Sequence, residues 1–296
     1  MEQLLAQLLN GLQLGFVYAL IALGYTMVYG IVRLINFAHG DVFMVGAFLG
    51  YFGFTVWGLP WYVAVLVSMV GCAILGMTIE RLAYRPLRKL GAPRIAALIT
   101  AIGVSLFIEY FSSLKFVFGP NFRVVNRPFA DVQWKLGGLA ISNVQLMIYI
   151  TVPVILAILL YIVYRTKVGK SMRAVSYDQD AARLMGINVD QVITLTFAIG
   201  SALAAIAGVL FALAYPQINP FMGIMPGLKA FTAAVLGGIG NIPGAVLGAL
   251  IMGQAEVLTA GYITTDFRDA IAFSILILVL LVKPAGLLGK SGPEKV

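Results

Sequence analysis

Long apolar runs separated by short polar loops dominate the pattern of this 296-residue chain. A helix of about 20 residues crosses the roughly 30 Å hydrocarbon core of a membrane. Six windows are uninterrupted or nearly so: Gly11 to Val32, Trp61 to Ile79, Ile95 to Phe118, Val144 to Tyr164, Val192 to Ala214 and Ala270 to Val282. No sustained period-two alternation runs through them, which disfavours a transmembrane β-barrel. The pattern predicts an all-α, polytopic integral membrane protein.

Two further apolar stretches, Ile35 to Trp57 and Gly227 to Thr259, are interrupted by polar and flexible residues. With them the expected number of membrane segments is about eight, of which these two are broken or re-entrant. Non-helical backbone at membrane depth is tolerated only where protein buries it or where it lines a watery cavity. The interrupting residues that we expect along a translocation path are Asn36, His39, Asp41, Gly238, Gly240 and Asn241.

The two interruptions have similar surroundings, which suggests that one half of the chain repeats the other. The matching residues are Tyr25, Thr26, Gly30 and Asn36 in the first half, and Phe231, Thr232, Gly237 and Asn241 in the second. Paired broken segments at corresponding positions predict an internal duplication with the pathway near the repeat interface. Close helix packing is the alternative role of the glycines spaced by four residues at Gly240, Gly244 and Gly248.

Several ionisable residues lie inside apolar stretches, and each has two interpretations. His39 is the single histidine of the chain, so local spacing offers no metal site, and a structural role is favoured over a proton relay. Asp41 and Arg33 either compensate each other's charge or face the pathway. Glu109 and Glu256 either pair near interfaces or take part in transport.

Composition and charge agree with a membrane protein and set limits on its chemistry. Hydrophobic residues make up 61% of the chain and charged residues 11%, and the formal net charge is +8. The basic residues gather in short loops beside apolar runs, which fits lipid headgroups better than nucleic acid. The single cysteine, Cys72, provides neither a disulfide framework nor a cysteine zinc site. No catalytic spacing is recognisable, so we expect no enzymatic activity and no cofactor.

The distribution of positive charge predicts the orientation. Arginine and lysine collect in the loop Arg81 to Arg94, in the loop Arg165 to Gln191 and near the C-terminus, at Lys283, Lys290 and Lys295. By the positive-inside rule these three regions face the cytoplasm, and the loop Gly119 to Asn143 faces outward.

The second basic loop contains a segment, Gly169 to Asn188, whose pattern predicts a short amphipathic helix. Met172, Val175, Ala182 and Met185 share one face of such a helix, and Gly186 ends it. A helix lying on anionic lipid is the simpler interpretation. The mixture of acidic and basic residues favours a docking surface for a partner protein.

The run Asp180-Ala181-Ala182-x-x-x-Gly186 resembles the Glu-Ala-Ala-x-x-x-Gly coupling motif of bacterial ABC importer permeases. Further stretches make the chain similar to one family, the branched-chain amino acid ABC transporter permeases of the LivH type. These stretches are Tyr18 to Gly30, Ile35 to Gly40, Ile79 to Arg88, Leu184 to Asn188, Lys229 to Gly240 and Lys283 to Gly289.

The resemblance implies a single transmembrane permease domain over residues 1–296, with a cytoplasmic coupling helix at residues 169–188, in a bacterial inner membrane. It implies partnership with a homologous second permease, two cytoplasmic ATPase subunits and an extracytoplasmic binding protein. The cargo would be leucine, isoleucine, valine or a related small amino acid. The coupling residues would be Arg173, Asp180, Ala181, Ala182 and Gly186. Two functions compete with this one: an ion-coupled secondary carrier for a small zwitterion, and a passive channel.

Overall fold

The structure is a computed structural model that describes residues 2–130, 132–136 and 139–289. The predicted C-terminal positive charges at Lys290 and Lys295 lie outside the described residues. The helices are α1 (Glu2–Val32), α2 (His39–Tyr51), α3 (Trp61–Ile79), α4 (Arg85–Lys89), α5 (Arg94–Ser112), α6 (Asn143–Arg165), α7 (Lys167–Tyr177), α8 (Gln179–Leu184), α9 (Val189–Ala214), α10 (Ile224–Gly237), α11 (Ile242–Tyr262) and α12 (Arg268–Val282). A π-helical turn, Glu80–Tyr84, joins α3 to α4.

Two small antiparallel pairs of strands lie in the loops, β1 (Arg123–Val124) with β4 (Gln217–Ile218) and β2 (Gln133–Leu136) with β3 (Leu139–Ser142). The remaining architecture is helical, which confirms the predicted all-α, polytopic membrane protein. In the described part of the chain, six helices are long and apolar enough to cross a membrane: Glu2–Val32, Trp61–Lys89, Ile95–Ser112, Asn143–Arg165, Val189–Ala214 and Ile242–Tyr262. The shorter apolar helices α2, α10 and α12 occupy the remaining windows, and the number that cross stays a prediction.

Helices α1 and α9 form the centre of the bundle, because most of the residues in the apolar part of each helix are buried. Small residues allow this close packing. A Cβ atom built on Gly253 of α11 would lie 2.5 Å from the Cα of Gly15 in α1. Van der Waals contact between backbones is a main attraction between helices in lipid, where burial of apolar surface gives no advantage. The outer helices α3, α5 and α6 expose large apolar side chains such as Phe107 and Ile150, as a lipid-facing surface requires.

The first predicted break lies slightly earlier in the chain than the sequence indicated. Helix α1 ends at Val32, and the non-helical segment is Arg33–Ala38. His39 and Asp41 were expected inside the interruption, but both belong to the first turn of α2. The first backbone N–H groups of a helix lack an intrahelical carbonyl partner, so polar residues are common in the first turn.

The second break lies where the sequence predicted it, between α10 and α11. Gly238 and Gly240 adopt positive φ angles of 103° and 93°, which side-chain-bearing residues rarely adopt. The Asn241 side chain then caps α11 by accepting a hydrogen bond from the Gly244 N–H at 3.2 Å. The segment after α12 covers this break, because the Leu288 N–H donates to the Gly237 carbonyl at 2.9 Å.

Candidate functional site

The predicted coupling segment consists of two helices, so the single helix expected over residues 169–188 is wrong in this respect. Asp178 separates α7 from α8 with an extended backbone. Its side-chain carboxylate accepts hydrogen bonds from the N–H groups of Asp180 at 2.9 Å and Ala181 at 3.0 Å. This is an N-cap, which starts a new helix and ends the previous one. We call residues Lys167–Gly186 the coupling segment.

One face of the coupling segment is fixed against the bundle. Met172, Val175 and Ala182 are buried, as the predicted amphipathic face requires for these three residues. The Arg173 guanidinium donates a hydrogen bond to the carbonyl of Val163 at the end of α6. Ala182 was expected to meet a partner protein, but it faces the inside of its own chain.

The opposite side of the coupling segment carries an exposed apolar tip, formed by Tyr177, Leu184 and Met185. These side chains are 85%, 89% and 82% exposed. Met185 was expected on the buried face, and the break at Asp178 explains the difference, because one helical face does not continue across two helices. Large apolar side chains grouped on a surface commonly mark an interaction site. Sequence reasoning missed Tyr177 and Leu184.

The remaining predicted coupling residues lie beside this tip. Asp180 and Arg183 form an exposed ion pair at 2.9 Å, and Ala181 is exposed next to them. Gly186 has a φ of +80°, and a Cβ atom built there meets nothing within 4 Å. Its role here is therefore to end α8 in a left-handed conformation.

The structure joins a predicted coupling residue to a predicted path residue. Arg173 and Gly240 line one cavity of about 180 Å³, together with Thr26 and Gly30. A Cβ atom built on Gly30 would lie 3.4 Å from the Gly240 Cα, so the last turns of α1 closely approach the second break. The coupling segment thus forms part of the wall of a cavity where α1 meets the second break.

The other predicted path residues lie in different surroundings. The Asn36 side-chain oxygen accepts a hydrogen bond from the Tyr84 hydroxyl at 3.0 Å. His39 is buried edge-on against Tyr25, with 4.8 Å between ring centroids. The segment after α12 covers Gly238 closely. Of the predicted path residues, Gly240 and Asn241 also line an open depression beside Gly30.

Asp41 lies on a separate cavity of about 200 Å³, together with Glu109. Its carboxylate accepts a hydrogen bond from the Ser105 hydroxyl at 2.5 Å. Arg33 was considered as a partner that compensates the Asp41 charge, but Arg33 is exposed, and the group that contacts the Asp41 carboxylate is the neutral Ser105 hydroxyl. The structure therefore brings Asp41 and Glu109 together and leaves Arg33 apart from them.

Comparison with known proteins decides the family. A family model described as the permease component of the branched-chain amino acid transport system matches residues 7–280. The chain belongs to this permease family. It is 45% identical to the high-affinity branched-chain amino acid transport system permease protein LivH of Escherichia coli, over 99% of this chain and 97% of that protein. It is 43% identical to the permease protein BraD of Pseudomonas aeruginosa, over 99% and 98% of the two chains.

A more distant relative shows the same likeness. The probable branched-chain amino acid transport permease protein LivH of Methanocaldococcus jannaschii is 29% identical over 91% of this chain and 88% of that protein. The family resemblance noted in the sequence is thereby confirmed.

Beside the coupling segment, the permease contains a buried cluster of charges that sequence reasoning did not identify. Glu80 has no solvent exposure and pairs with Arg85 at 3.0 Å and Arg88 at 3.1 Å. The Thr194 hydroxyl donates to the same carboxylate at 2.8 Å, and Arg88 also pairs with Asp190 at 2.5 Å. These bonds link the end of α3 to the first turns of α9, directly after the coupling segment.

A second buried cluster surrounds Glu256 in α11. Its carboxylate accepts hydrogen bonds from Tyr18 at 2.9 Å and Lys229 at 2.8 Å, and it also pairs with Arg268. Lys229 additionally pairs with Asp269 at 2.6 Å. Since these partners come from α1, α10 and α12, Glu256 links four helices. The interpretation of Glu256 as a paired residue is therefore confirmed.

Proposed function

We propose that this permease is the transmembrane subunit of an ATP-driven importer for branched-chain amino acids. Its full-length similarity to LivH and BraD supports this cargo, since both are permease proteins of branched-chain amino acid transport systems. The same similarity disfavours the ion-coupled carrier and the passive channel. The subunit itself is not an enzyme, and ATP is hydrolysed by partner subunits.

The observation that carries the coupling role is the two-sided character of the coupling segment. One side is anchored to the bundle through Met172 and Val175, whereas Leu184 and Met185 are bare on the other. When a partner protein that is bound to the exposed side moves, the coupling segment moves with it, and the bundle is displaced through the buried side. We infer that an ATPase subunit binds this tip.

The route from the tip to the membrane cavity is short. Arg173 both hydrogen-bonds the end of α6 and lines the cavity beside Gly30 and Gly240. A displacement of α7 changes that cavity directly, because its wall includes Met172 and Arg173. Alternating access follows if closure of the ATPases moves α7 and opens the bundle on the opposite side.

The assembly that fits this mechanism contains two ATPase subunits, a homologous second permease and an extracytoplasmic binding protein. This permease would form half of the path. The loop Arg81 to Arg94, the loop Arg165 to Gln191 and the C-terminus would face the cytoplasm of a bacterium, as the clustering of their basic residues favours. Lipid would surround the outer helices.

Truncation of the tip tests the coupling role. Leu184→Ala removes most of an apolar side chain whose full burial is worth about 1.5–3 kcal/mol. We therefore expect an affinity for the ATPase subunits that is lower by roughly 10- to 100-fold, and reduced ATP-dependent leucine uptake in vesicles. The stability of the permease should not change, since Leu184 makes few internal contacts.

Leu90→Ala is the matched control, because Leu90 is 81% exposed in the other basic loop and lies outside the coupling segment. It should leave ATPase affinity and uptake near the wild-type values. Equal effects of the two substitutions, or no effect of Leu184→Ala on ATPase affinity, would contradict the assignment of the tip.

A further inference from the structure

A second large cavity lies at the end of the bundle opposite the coupling segment. Its volume is about 530 Å³, within the usual range for small-molecule sites. Val144 and Gln145, in the first turn of α6, line it, whereas Arg165, at the other end of the same 23-residue helix, adjoins the coupling segment. At a rise of 1.5 Å per residue, the two regions are roughly 30 Å apart. We call this the distal cavity.

The lining of the distal cavity combines three kinds of chemistry. Amide side chains come from Gln7, Asn10, Gln13, Gln133 and Gln145. Aliphatic surface comes from Leu14 and Val257, among others. Charged side chains come from Arg127, Arg268 and Glu256.

Gln13 is the most informative of the amides. It is 8% exposed, and among the described residues its side chain has no hydrogen-bond partner. By contrast, the neighbouring amide of Gln145 donates to Asn10 at 2.8 Å and accepts from the Ser142 N–H at 3.0 Å. The Gln13 amide lines the cavity, so its donors and its acceptor are available there for a ligand to hydrogen-bond.

The charged residues of the lining differ in how many of their hydrogen-bonding groups already contact other residues of the chain. Glu256 is enclosed by Tyr18, Lys229 and Arg268, so its carboxylate has little capacity left for a ligand. The Nε and Nη2 groups of Arg268 both donate hydrogen bonds to Glu256. Its side chain is partly exposed towards the cavity, and a guanidinium has further N–H donors. The free donor capacity of the lining is therefore suited to an anionic group.

We propose that the distal cavity binds a free amino acid that carries an aliphatic side chain. Arg268 faces the carboxylate, and the Gln13 amide hydrogen-bonds the polar end of the molecule. Leu14 and Val257 contact its aliphatic side chain. This inference rests on the proposed function for the class of ligand. It adds a binding site within the permease itself, separate from the binding protein.

Direct binding to the assembled transporter, without binding protein and without ATP, tests the site. Radiolabelled L-leucine should bind the wild type, and Gln13→Leu should weaken that binding by tenfold or more, because a hydrogen bond to a charged ligand is lost. Gln254→Leu is the matched control. Gln254 lies on neighbouring α11, donates to the Leu8 carbonyl at 2.8 Å and does not line the cavity. It should leave leucine binding unchanged.

Thiol labelling gives a second readout that does not depend on affinity measurements. The single native cysteine, Cys72, is buried, so a cysteine introduced by Gln13→Cys is labelled over a low background. L-Leucine should slow the labelling of that cysteine at least several-fold. 3-Methylbutylamine, which lacks the carboxylate, should not. Tyr262→Cys, at the same end but outside the cavity lining, should show no protection.

The outcomes separate the two proposals. Equal labelling of Gln13→Cys with and without L-leucine, in a transporter whose parent shows ATP-dependent leucine uptake, overturns the distal site and leaves the proposed function intact. Equal protection by the amine overturns the carboxylate assignment. Absence of ATP-dependent uptake of any branched-chain amino acid by the wild type overturns the proposed function. Protection by L-leucine would still establish the cavity as a site.

Discussion

Removing the charge of Glu80 is the sharpest test of how the end of the bundle beside the coupling segment is held together. Glu80→Gln keeps the size of the side chain but removes the negative charge that faces Arg85 and Arg88. Arg88 is mostly buried, so the substitution leaves a guanidinium with Asp190 as its one remaining ion-pair partner among the described residues. Breaking a buried ion pair by removing one partner costs about 3–5 kcal/mol. The unfolding equilibrium should therefore shift on the order of 100-fold or more.

The exposed pair of Asp180 with Arg183 provides a matched control in the same chain. Asp180→Asn removes the same charge from a pair at nearly the same distance, 2.9 Å, but in solvent. Exposed pairs contribute about 0–1 kcal/mol. The assay is equilibrium unfolding of the purified permease by SDS in mixed micelles. A difference of less than 1 kcal/mol between Glu80→Gln and Asp180→Asn would refute the reasoning.

Further substitutions test other parts of the fold. Gly253→Ala should lower permease stability by about 1–3 kcal/mol in the same SDS titration, because its Cβ atom meets α1, whereas Gly103→Ala, with nothing within 4 Å, should not. Tyr84→Phe should cost about 1–2 kcal/mol in that titration, because the buried Asn36 oxygen loses its donor. Gly186→Ala should cost about 1–2 kcal/mol through its positive φ, and hydrogen exchange should show faster opening at the end of α8.

The sequence was sufficient for the helical class, the position of the second break and the family, because these follow from long apolar runs and from motifs within single stretches. It failed for the coupling segment where a local hydrogen bond overrode the hydrophobic pattern. The Asp178 N-cap splits the segment, turns Met185 outward and leaves Ala182 inside. The signal was present, since aspartate before a polar helical turn favours a new helix start.

The buried charge clusters were not predictable in the same way. Glu80 and Arg85 are five residues apart, a spacing that does not share a face of an α-helix. The π-helical turn from Glu80 to Tyr84 brings them together. The partners of Glu256 come from three other helices, at separations of up to 238 residues from Tyr18. Such clusters depend on tertiary packing, which no local pattern encodes.

The most direct test of the account is leucine uptake by reconstituted vesicles of two compositions. One contains this permease alone under sodium and proton gradients. The other contains it with its ATPase subunits, second permease and binding protein, supplied with ATP. We predict uptake only in the second, and loss of that uptake when ATP is replaced by a non-hydrolysable analogue. Gradient-driven leucine uptake by the permease alone would contradict the account.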